Sequence, residues 1–188
     1  SGSALFEVRV HLFELDQKLV SAYNEKLVSS RDIRAVNDMR ADLLSRADVK
    51  LLDKAVITVE NNKLITYKQI REVVYPEEVD AVGNVPEDAK RITRNVGSTI
   101  SVMPAYDEQS DCVSLQFDAE YVDEPEWVNG LPLFKVSSVR TKNDLGFGSV
   151  CMLPAGMYRD KSGREKAKVY FVEVRRLGSD KLMSPPES

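Results

Sequence analysis

Apolar and polar side chains alternate strictly from position 113 to position 121. The apolar positions are Val113, Leu115, Phe117, Ala119 and Tyr121, and the polar ones are Ser114, Gln116, Asp118 and Glu120. A period of two residues predicts a β-strand with one buried and one solvated face. A polar turn at 107–111 separates this segment from Thr99–Ala105, so the two segments are predicted to form a β-hairpin.

The same alternation predicts strands in the first half of the chain. Ala4–Phe13 has its apolar side chains on one face and places His11 on the opposite, solvated face. Val49–Glu60 and Leu64–Tyr75 are predicted strands that Asn61-Asn62 joins into a hairpin, because asparagine tolerates left-handed backbone angles.

Three more strands are predicted in the second half, at Leu133–Thr141, Gly148–Leu153 and Lys168–Arg176. In the last of them both sets of alternate residues are largely apolar, so we expect it to be covered on both faces. Residues 77–95 and 123–130 are rich in polar and turn-forming residues and are predicted to be long loops.

One segment changes period. From Asp32 to Ala47 apolar side chains recur at helical spacing, which predicts an amphipathic helix that packs on a sheet, with Asp32 as its N-cap. A helix that binds a partner is the alternative interpretation of the same stripe. The sequence thus predicts an α+β domain with a largely antiparallel sheet of about seven to nine strands and this one helix.

The length of 188 residues fits a single domain, which we expect to span residues 4–178. Ser1-Gly2-Ser3 is interpreted as a remainder of cloning. Residues 179–188, with two adjacent prolines, are predicted to form a disordered tail.

Composition narrows the classes of partner. The formal net charge is −4 and the sequence pI is near 5.2, which argues against a nucleic-acid-binding surface because such a surface carries a basic excess. No apolar run is long enough for a transmembrane helix, and no signal peptide is present. Cys112 and Cys151 lack the spacing of a metal site, which leaves two buried thiols or, in an exported protein, a disulfide.

No catalytic motif is present. The chain has no phosphate-binding loop and no nucleophile elbow, and its single histidine, His11, has no carboxylate at a spacing that would orient it. No cofactor site and no metal site are predicted, and acidic pairs such as Glu77-Glu78 are interpreted as solvated loop residues. The sequence therefore predicts a protein that is not an enzyme.

Four residues are predicted to contact a partner. Trp127 and Tyr158 are aromatic residues placed in loops. Phe13 and Arg175 lie in two strands that are candidate sheet edges for pairing with another chain. Those candidate edges are Phe6–Phe13 and Lys168–Arg176.

Several segments, in order, resemble the C-terminal β-domain of the secretins, the outer-membrane ring proteins of type II and type III secretion and of type IV pili. The valine-rich strand 6–16 is similar to the opening strand of that family, and Ala55–Tyr67 to the hairpin after its helix. Val96–Tyr106 is similar to the family's Gly-x-x-Leu-x-Val-x-Pro strand, and Cys112–Phe117 to its partner strand.

The chain departs from the family's pattern in its last third. Asn143–Gly146 and Leu153–Gly156 stand where secretins carry Asp-Gly and Gly-Gly, and the short loop Arg159–Lys166 replaces a longer segment with a Leu-Gly-Asp-Ile-Pro-like motif. The resemblance therefore does not include clear pore-forming motifs.

The resemblance implies a non-enzymatic structural or assembly module of a bacterial envelope secretion or pilus-type system, in the periplasm or at the outer membrane. Its partners would be other proteins or copies of this chain that pair through sheet edges, with any outer-membrane association made through regions outside this sequence. The alternative is a periplasmic or extracellular ligand-binding module that uses loops 77–95 and 123–130 around Trp127.

Overall fold

The computed structural model describes residues 4–29 and 34–178, which contain ten strands and two helices. The strands are β1 (Leu5–Asp16), β2 (Lys50–Glu60), β3 (Ile65–Pro76), β4 (Arg91–Asp107), β5 (Cys112–Val122), β6 (Glu126–Val128), β7 (Leu131–Leu133), β8 (Val136–Gly146), β9 (Val150–Arg159) and β10 (Glu165–Leu177). The helices are α1 (Gln17–Ser29) and α2 (Ala35–Ser45). The predicted cloning remainder 1–3 and tail 179–188 lie outside the described residues.

The strands form two sheets of four strands and one small ribbon. Sheet A has the order β2-β1-β10-β9, sheet B has the order β3-β4-β5-β8, and β6 pairs with β7. Every neighbouring pair is antiparallel. The predicted α+β class with largely antiparallel pairing is therefore confirmed, with slightly more strands than expected.

Sheet A is covered on both faces. Even-numbered residues of β1, from Phe6 to Leu12, enter a core shared with Ile100, Phe117 and other residues of sheet B. Odd-numbered residues at the other end of β1, Phe13 and Leu15, pack instead with residues of the two helices. The inner strands β1 and β10 thus have two buried faces in this region, because their two alternating sets of side chains meet different layers.

The hairpin predicted from strict alternation is confirmed as β4 paired with β5, in register from Gly97 opposite Val122 to Asp107 opposite Cys112. The predicted cover on both faces of the last strand is also confirmed, since residues 167–174 of β10 are all buried.

Two predicted pairings are wrong. The strands expected to be sheet edges, β1 and β10, are the two inner strands of sheet A and pair with each other from Leu5 opposite Leu177 to Asp16 opposite Lys166. Their apolar side chains on both faces favour this inner position, because an edge strand would leave part of that surface in water. The edges of sheet A are β2 and β9.

The turn at Asn61-Asn62 does not form a hairpin. It carries the chain from β2 in sheet A to β3 in sheet B, and neither strand pairs with the other. Asn62 has a φ of 60°, as the turn prediction requires. Contacts with β4 fix the turn: the Asn62 amide donates to the carbonyl of Pro104 at 2.7 Å, and the Tyr106 amide donates to Asn61 Oδ1 at 2.9 Å.

The predicted helix at Asp32–Ala47 is present as α2, which is shorter, and the predicted N-cap Asp32 lies outside the described residues. Met39 and Leu43 form its buried side, whereas Leu44 is half exposed. The sequence reading missed α1, which begins directly after β1 at Gln17. Its apolar residues Leu19, Val20, Tyr23 and Leu27 do recur at helical spacing, and they pack on the helix side of sheet A.

Candidate functional site

Four strands of the two large sheets have a paired neighbour on one side only. Sheet A ends in β2 and β9, and sheet B ends in β3 and β8. Each of these edge strands has ten to twelve residues. An edge strand presents a row of backbone N–H and C=O groups that can pair with a strand of another chain.

Within each large sheet the two edge strands run in opposite directions. This follows from four strands that are all antiparallel to their neighbours. A second copy placed beside the first in the same orientation therefore brings its β2 antiparallel to β9 of the first copy, and the same holds for β3 and β8. Such a head-to-tail contact continues the sheet without a break in its pairing pattern.

The two edge strands of sheet A differ in how well they are protected from pairing with another chain. β9 contains Pro154, lies next to a register shift between Lys168 and Val169 of β10, and has a left-handed residue at Gly156. β2 also has a register shift, opposite Leu12 and Phe13 of β1, but it contains no proline, and its exposed side chains include Leu51 and Val56, at 43% and 53% exposure. Proline is a common device that protects an edge strand from pairing with another chain, so β2 is the less protected of the two.

A cleft of about 650 Å³ lies between sheet A and the segment after β5. Two of its lining residues, Asp123 and Glu14, are the partners of Lys168, whose side chain is only 1% exposed. Lys168 Nζ donates a hydrogen bond to Asp123 Oδ2 at 2.5 Å and lies 3.9 Å from Glu14 Oε2. A buried ammonium group needs such carboxylate partners, because burial otherwise strongly disfavours its charge.

Tyr158, one of the predicted contact residues, belongs to this cleft. Its ring lies under two ammonium groups, Lys135 at 4.0 Å and Lys168 at 4.9 Å from the ring centroid. Burial raises the pKa of the Tyr158 hydroxyl, and a hydrogen bond to the Glu14 carboxylate raises it further. The side chain is thus half-buried and held by three charged groups.

The two long predicted loops meet each other. The second of them contains β6, which pairs with β7 directly after the loop, and a Cβ at Gly83 would lie 3.7 Å from the carbonyl oxygen of Asn129. Trp127 lies on β6 opposite Pro132 and is 53% exposed. The structure therefore brings the two loops together, and it places Trp127 on a different surface from Tyr158, outside the lining of the cleft.

The other two predicted contact residues are less available. Phe13 is fully buried and packs edge-on against Phe171 with ring centroids 5.5 Å apart, so it belongs to the core under the helices. Arg175 is partly exposed near the end of β10, and its Nε donates to Glu173 Oε1 at 2.8 Å.

His11 does not lie on a solvated face as expected. It is only 7% exposed, and its ring stacks on Phe13 with centroids 6.0 Å apart. The face of β1 that seemed polar from the sequence is covered here by α2. Both cysteines are free and half-buried, and the Asn143 amide donates to Cys151 Sγ at 3.4 Å.

Sequence reasoning missed Lys168 and Asp123 as a pair. A lysine between Ala167 and Val169, inside a strand predicted to be covered on both faces, was the available signal, because such a lysine must have a buried partner. Its partner could not be found from the sequence, since Asp123 is 45 residues away and directly follows β5.

Across residues 4–29 and 34–178 no group of three or more His, Cys, Asp or Glu side chains is arranged to hold a metal ion. In the same ranges no helix combines the length and apolar character needed to cross a membrane.

Comparison with solved structures gives the fold. The chain is similar to the secretin InvG of the Salmonella SPI-1 type III secretion injectisome, with 9% identity and a TM-score of 0.56 over 98% of this chain and 68% of that one. It is also similar to the type II secretin GspD of enteropathogenic Escherichia coli, with 12% identity and a TM-score of 0.54 over 95% of this chain and 71% of that one.

A third similar structure is the pilotin–secretin complex AspS–GspD of ETEC, with 12% identity and a TM-score of 0.54 over 96% of this chain. The chain spans 51% of the length of that secretin. No protein-family model and no curated protein matches the chain. The secretin-like fold expected from the sequence is confirmed by these structures.

Proposed function

We propose that this secretin-like chain is a structural module that assembles by pairing its open sheet edges with those of neighbouring subunits. The observation that carries the proposal is that the two edges of each four-stranded sheet run antiparallel to each other. Copies in one orientation can then extend sheet A through β2 and β9, and sheet B through β3 and β8.

The geometry of such a contact allows an assembly of many copies. The surface offered by β2 differs from the surface offered by β9, so the interface is heterologous, and repeated heterologous contacts form a ring when the rotation between copies closes. Backbone hydrogen bonds along strands of ten to twelve residues would supply the affinity, and alternate side chains would supply the register.

The similar structures support the same class of function. They are secretins of a type III injectisome and of type II secretion, and one was determined in complex with a pilotin. By this likeness of fold, we assign the chain to a bacterial envelope secretion or pilus-type system, at the periplasm or outer membrane. The role is non-enzymatic, and the partners are copies of this chain or other envelope proteins.

Amide hydrogen exchange on the assembled and monomeric fractions tests the proposal. Native mass spectrometry over a concentration series separates the two fractions, and exchange is then measured for peptides from each strand. We expect the outward-pointing amides of β2 and β9 to be protected in the assembly and to exchange in the monomer, whereas their inward-pointing amides, which bond to β1 and β10, should be protected in both. Peptides from the inner strands β1 and β10 serve as the matched control, since they should be protected in both fractions.

Two results would overturn the proposal. One is a strict monomer at the highest concentration reached, with no envelope protein recovered by crosslinking. The other is an assembly in which the edge strands exchange as fast as in the monomer, because its contacts would then not be made by strand pairing.

The second candidate function is a ligand-binding module formed by the two long loops. The contact between the loops at Gly83 and Asn129 favours it, together with the exposure of Trp127 beside them. A panel of glycans, peptides and metal ions that leaves the fluorescence of Trp127 unchanged would remove this candidate.

A further inference from the structure

A second hollow, of about 360 Å³, lies on the helix side of sheet A. It is lined by residues of three elements, β1, β2 and α2, and these residues are Arg9, His11, Arg40, Leu44, Lys54 and Val56. Strand pairing brings two of them together, because His11 of β1 stands opposite Lys54 of β2 and Arg9 stands opposite Val56. Helix α2 supplies the remaining side.

Cations exceed carboxylates around this hollow, although the chain as a whole carries a net negative charge. Arg9 pairs with Glu7, and Arg40 Nη1 lies 2.9 Å from Glu173 Oε2. Glu173 is shared, since Arg175 also binds it at 2.8 Å. Four cationic groups, counting Lys54, therefore face two carboxylates.

Lys54 has no carboxylate partner among residues 4–29 and 34–178. Its side chain is exposed, whereas Arg40 is only 12% exposed and is oriented by its bond to Glu173. The hollow thus combines one free ammonium group with two guanidinium groups whose positions are fixed. A site of this kind favours an anion.

His11 closes the inner side of the hollow. It is 7% exposed, and its Nδ1 has no hydrogen-bond partner. The pKa of His11 is lowered to about 4, mainly by burial and also by the charges of Arg40, Lys54 and Arg9, against the opposing effect of Glu173. A buried polar atom without a hydrogen-bond partner destabilises the folded protein. A bound anion would offset the positive charges around the imidazole ring, which otherwise keep the ring neutral.

We propose that this hollow binds a phosphate group. Phosphate accepts several charge-assisted hydrogen bonds at once, and it suits donors that converge from a strand, its neighbour and a helix. The hollow is larger than one phosphate ion, and the exposed side chains of Leu44 and Val56, at 50% and 53% exposure, border it. An organic group attached to the phosphate, such as the glycerol and upper chain of a phospholipid, would contact these two residues.

The single histidine makes the test direct, because the proton NMR spectrum contains one pair of imidazole ring signals. Inorganic phosphate is titrated into the protein at constant ionic strength, with sodium chloride and sodium acetate as matched salts. We expect a saturable shift of the His11 signals with phosphate alone, and a rise in the pKa of His11 when phosphate is bound. Equal shifts with chloride or acetate would overturn the proposal, because the His11 signals would then respond to ionic strength or to any anion rather than to phosphate.

A charge-matched pair of variants locates the binding. Lys54→Gln removes the free ammonium group of the hollow, and Lys142→Gln removes an exposed ammonium group of β8 on sheet B. We expect Lys54→Gln to weaken phosphate binding roughly tenfold or more, since one charged hydrogen bond is lost, and Lys142→Gln to leave it unchanged. If both variants weaken phosphate binding equally, the anion responds to the net charge of the protein, and binding at this hollow is contradicted.

The source of the phosphate is distinguished by vesicles. Phosphatidylglycerol vesicles that bind the protein, with the binding weakened by Lys54→Gln and absent for phosphatidylcholine, identify a lipid headgroup. Saturable binding of inorganic phosphate with no vesicle binding identifies a free phosphate compound. If neither inorganic phosphate nor the anionic vesicles bind, the hollow is not a phosphate site. The titration of the wild-type protein stands even if a variant fails to fold.

Discussion

Lys168 and Asp123 join the two large sheets of this protein by a buried hydrogen-bonded ion pair. Lys168 is an inner residue of β10 in sheet A and is 1% exposed, and Asp123 directly follows β5 in sheet B. The Asp123 amide in turn donates to the carbonyl of Lys135, just before β8. Asp123 thus connects sheet A, through its carboxylate, with both ends of the segment that contains the β6–β7 ribbon, which its backbone amide holds together.

Replacement of this lysine is expected to destabilise the protein strongly. Lys168→Met removes the ammonium group and leaves the carboxylates of Asp123 and Glu14 facing each other in a half-buried cleft. Loss of one partner of a buried ion pair costs about 3 kcal/mol or more of the free energy of unfolding. Urea denaturation followed by circular dichroism measures this loss of unfolding free energy.

A double-mutant cycle separates the pair from simple loss of a lysine. Asp123→Asn combined with Lys168→Met should destabilise by clearly less than the sum of the two single changes, because the second change removes a charge that no longer has a partner. Lys142→Met, at an exposed position of β8, is the control and should change stability by less than about 0.5 kcal/mol. Additive single effects would show that the two side chains do not interact.

The sequence was sufficient to predict strands wherever one face is buried and the other wet. The hairpin of β4 and β5 was found for this reason, since Phe117 and its alternate neighbours are buried while Gln116 and Glu120 are exposed. Inner and edge strands could not be assigned the same way. The alternation in β1 looked like one wet face, but residues such as His11 and Arg9 are covered or bordered by α2, which lies more than twenty residues further along the chain.

Long-range contacts also explain the missed parts of the candidate sites. The cleft depends on Lys168 meeting Asp123 and Glu14, and these three residues come from three distant segments. No local pattern encodes such a meeting, which arises only when the sheets stack. Trp127 was predicted to lie in a loop, whereas the structure places it on β6 of the small β6–β7 ribbon, where it is 53% exposed.

Stability is expected to fall between neutral and mildly acidic pH because of His11. Burial lowers the pKa of His11 from 6.5 to about 4 in the folded protein. Between these two values the unfolded chain binds more protons than the folded one, so the free energy of unfolding decreases as the pH falls from about 6.5 to about 4. The contribution is fully present above this window, and its loss amounts to at most about 3 kcal/mol.

The variant His11→Gln isolates this effect from the carboxylates that titrate nearby. We expect the difference in free energy of unfolding between wild type and variant to change with pH across the window and to be constant above it. Urea titrations at several pH values give both curves. Parallel curves would mean that His11 takes up its proton equally well in the folded state.

Gly97→Ala is expected to destabilise sheet B at the contact between β3 and β4. Gly97 has a φ of +105°, and a Cβ placed there would lie 2.3 Å from the carbonyl oxygen of Gln69. An alanine must therefore adopt an unfavourable backbone conformation and also push apart two paired strands, at a combined cost of roughly 2 kcal/mol or more.

Gly148→Ala is the matched control for this change. Gly148 has a φ of +76°, and a Cβ there would have no neighbour within 4 Å. An alanine at this position strains only the backbone conformation, so we expect the free energy of unfolding to fall by about 1 kcal/mol. Thermal unfolding of both variants compares the two, and a loss for Gly97→Ala no larger than that for Gly148→Ala would show that β3 and β4 separate without difficulty at this point.

The fluorescence of Trp127 should distinguish the two candidate functions. Trp127 is 53% exposed on the β6–β7 ribbon, outside both large sheets, so its emission should be that of a solvated indole and should be quenched readily by acrylamide. Pairing of β2 with β9 does not require a contact with Trp127, so we expect emission and quenching to be the same in the monomeric and assembled fractions. A blue shift of the emission on assembly would place the interface at the loops and would contradict edge pairing as its sole basis. A shift caused by a small molecule in the monomer would instead favour the ligand-binding alternative.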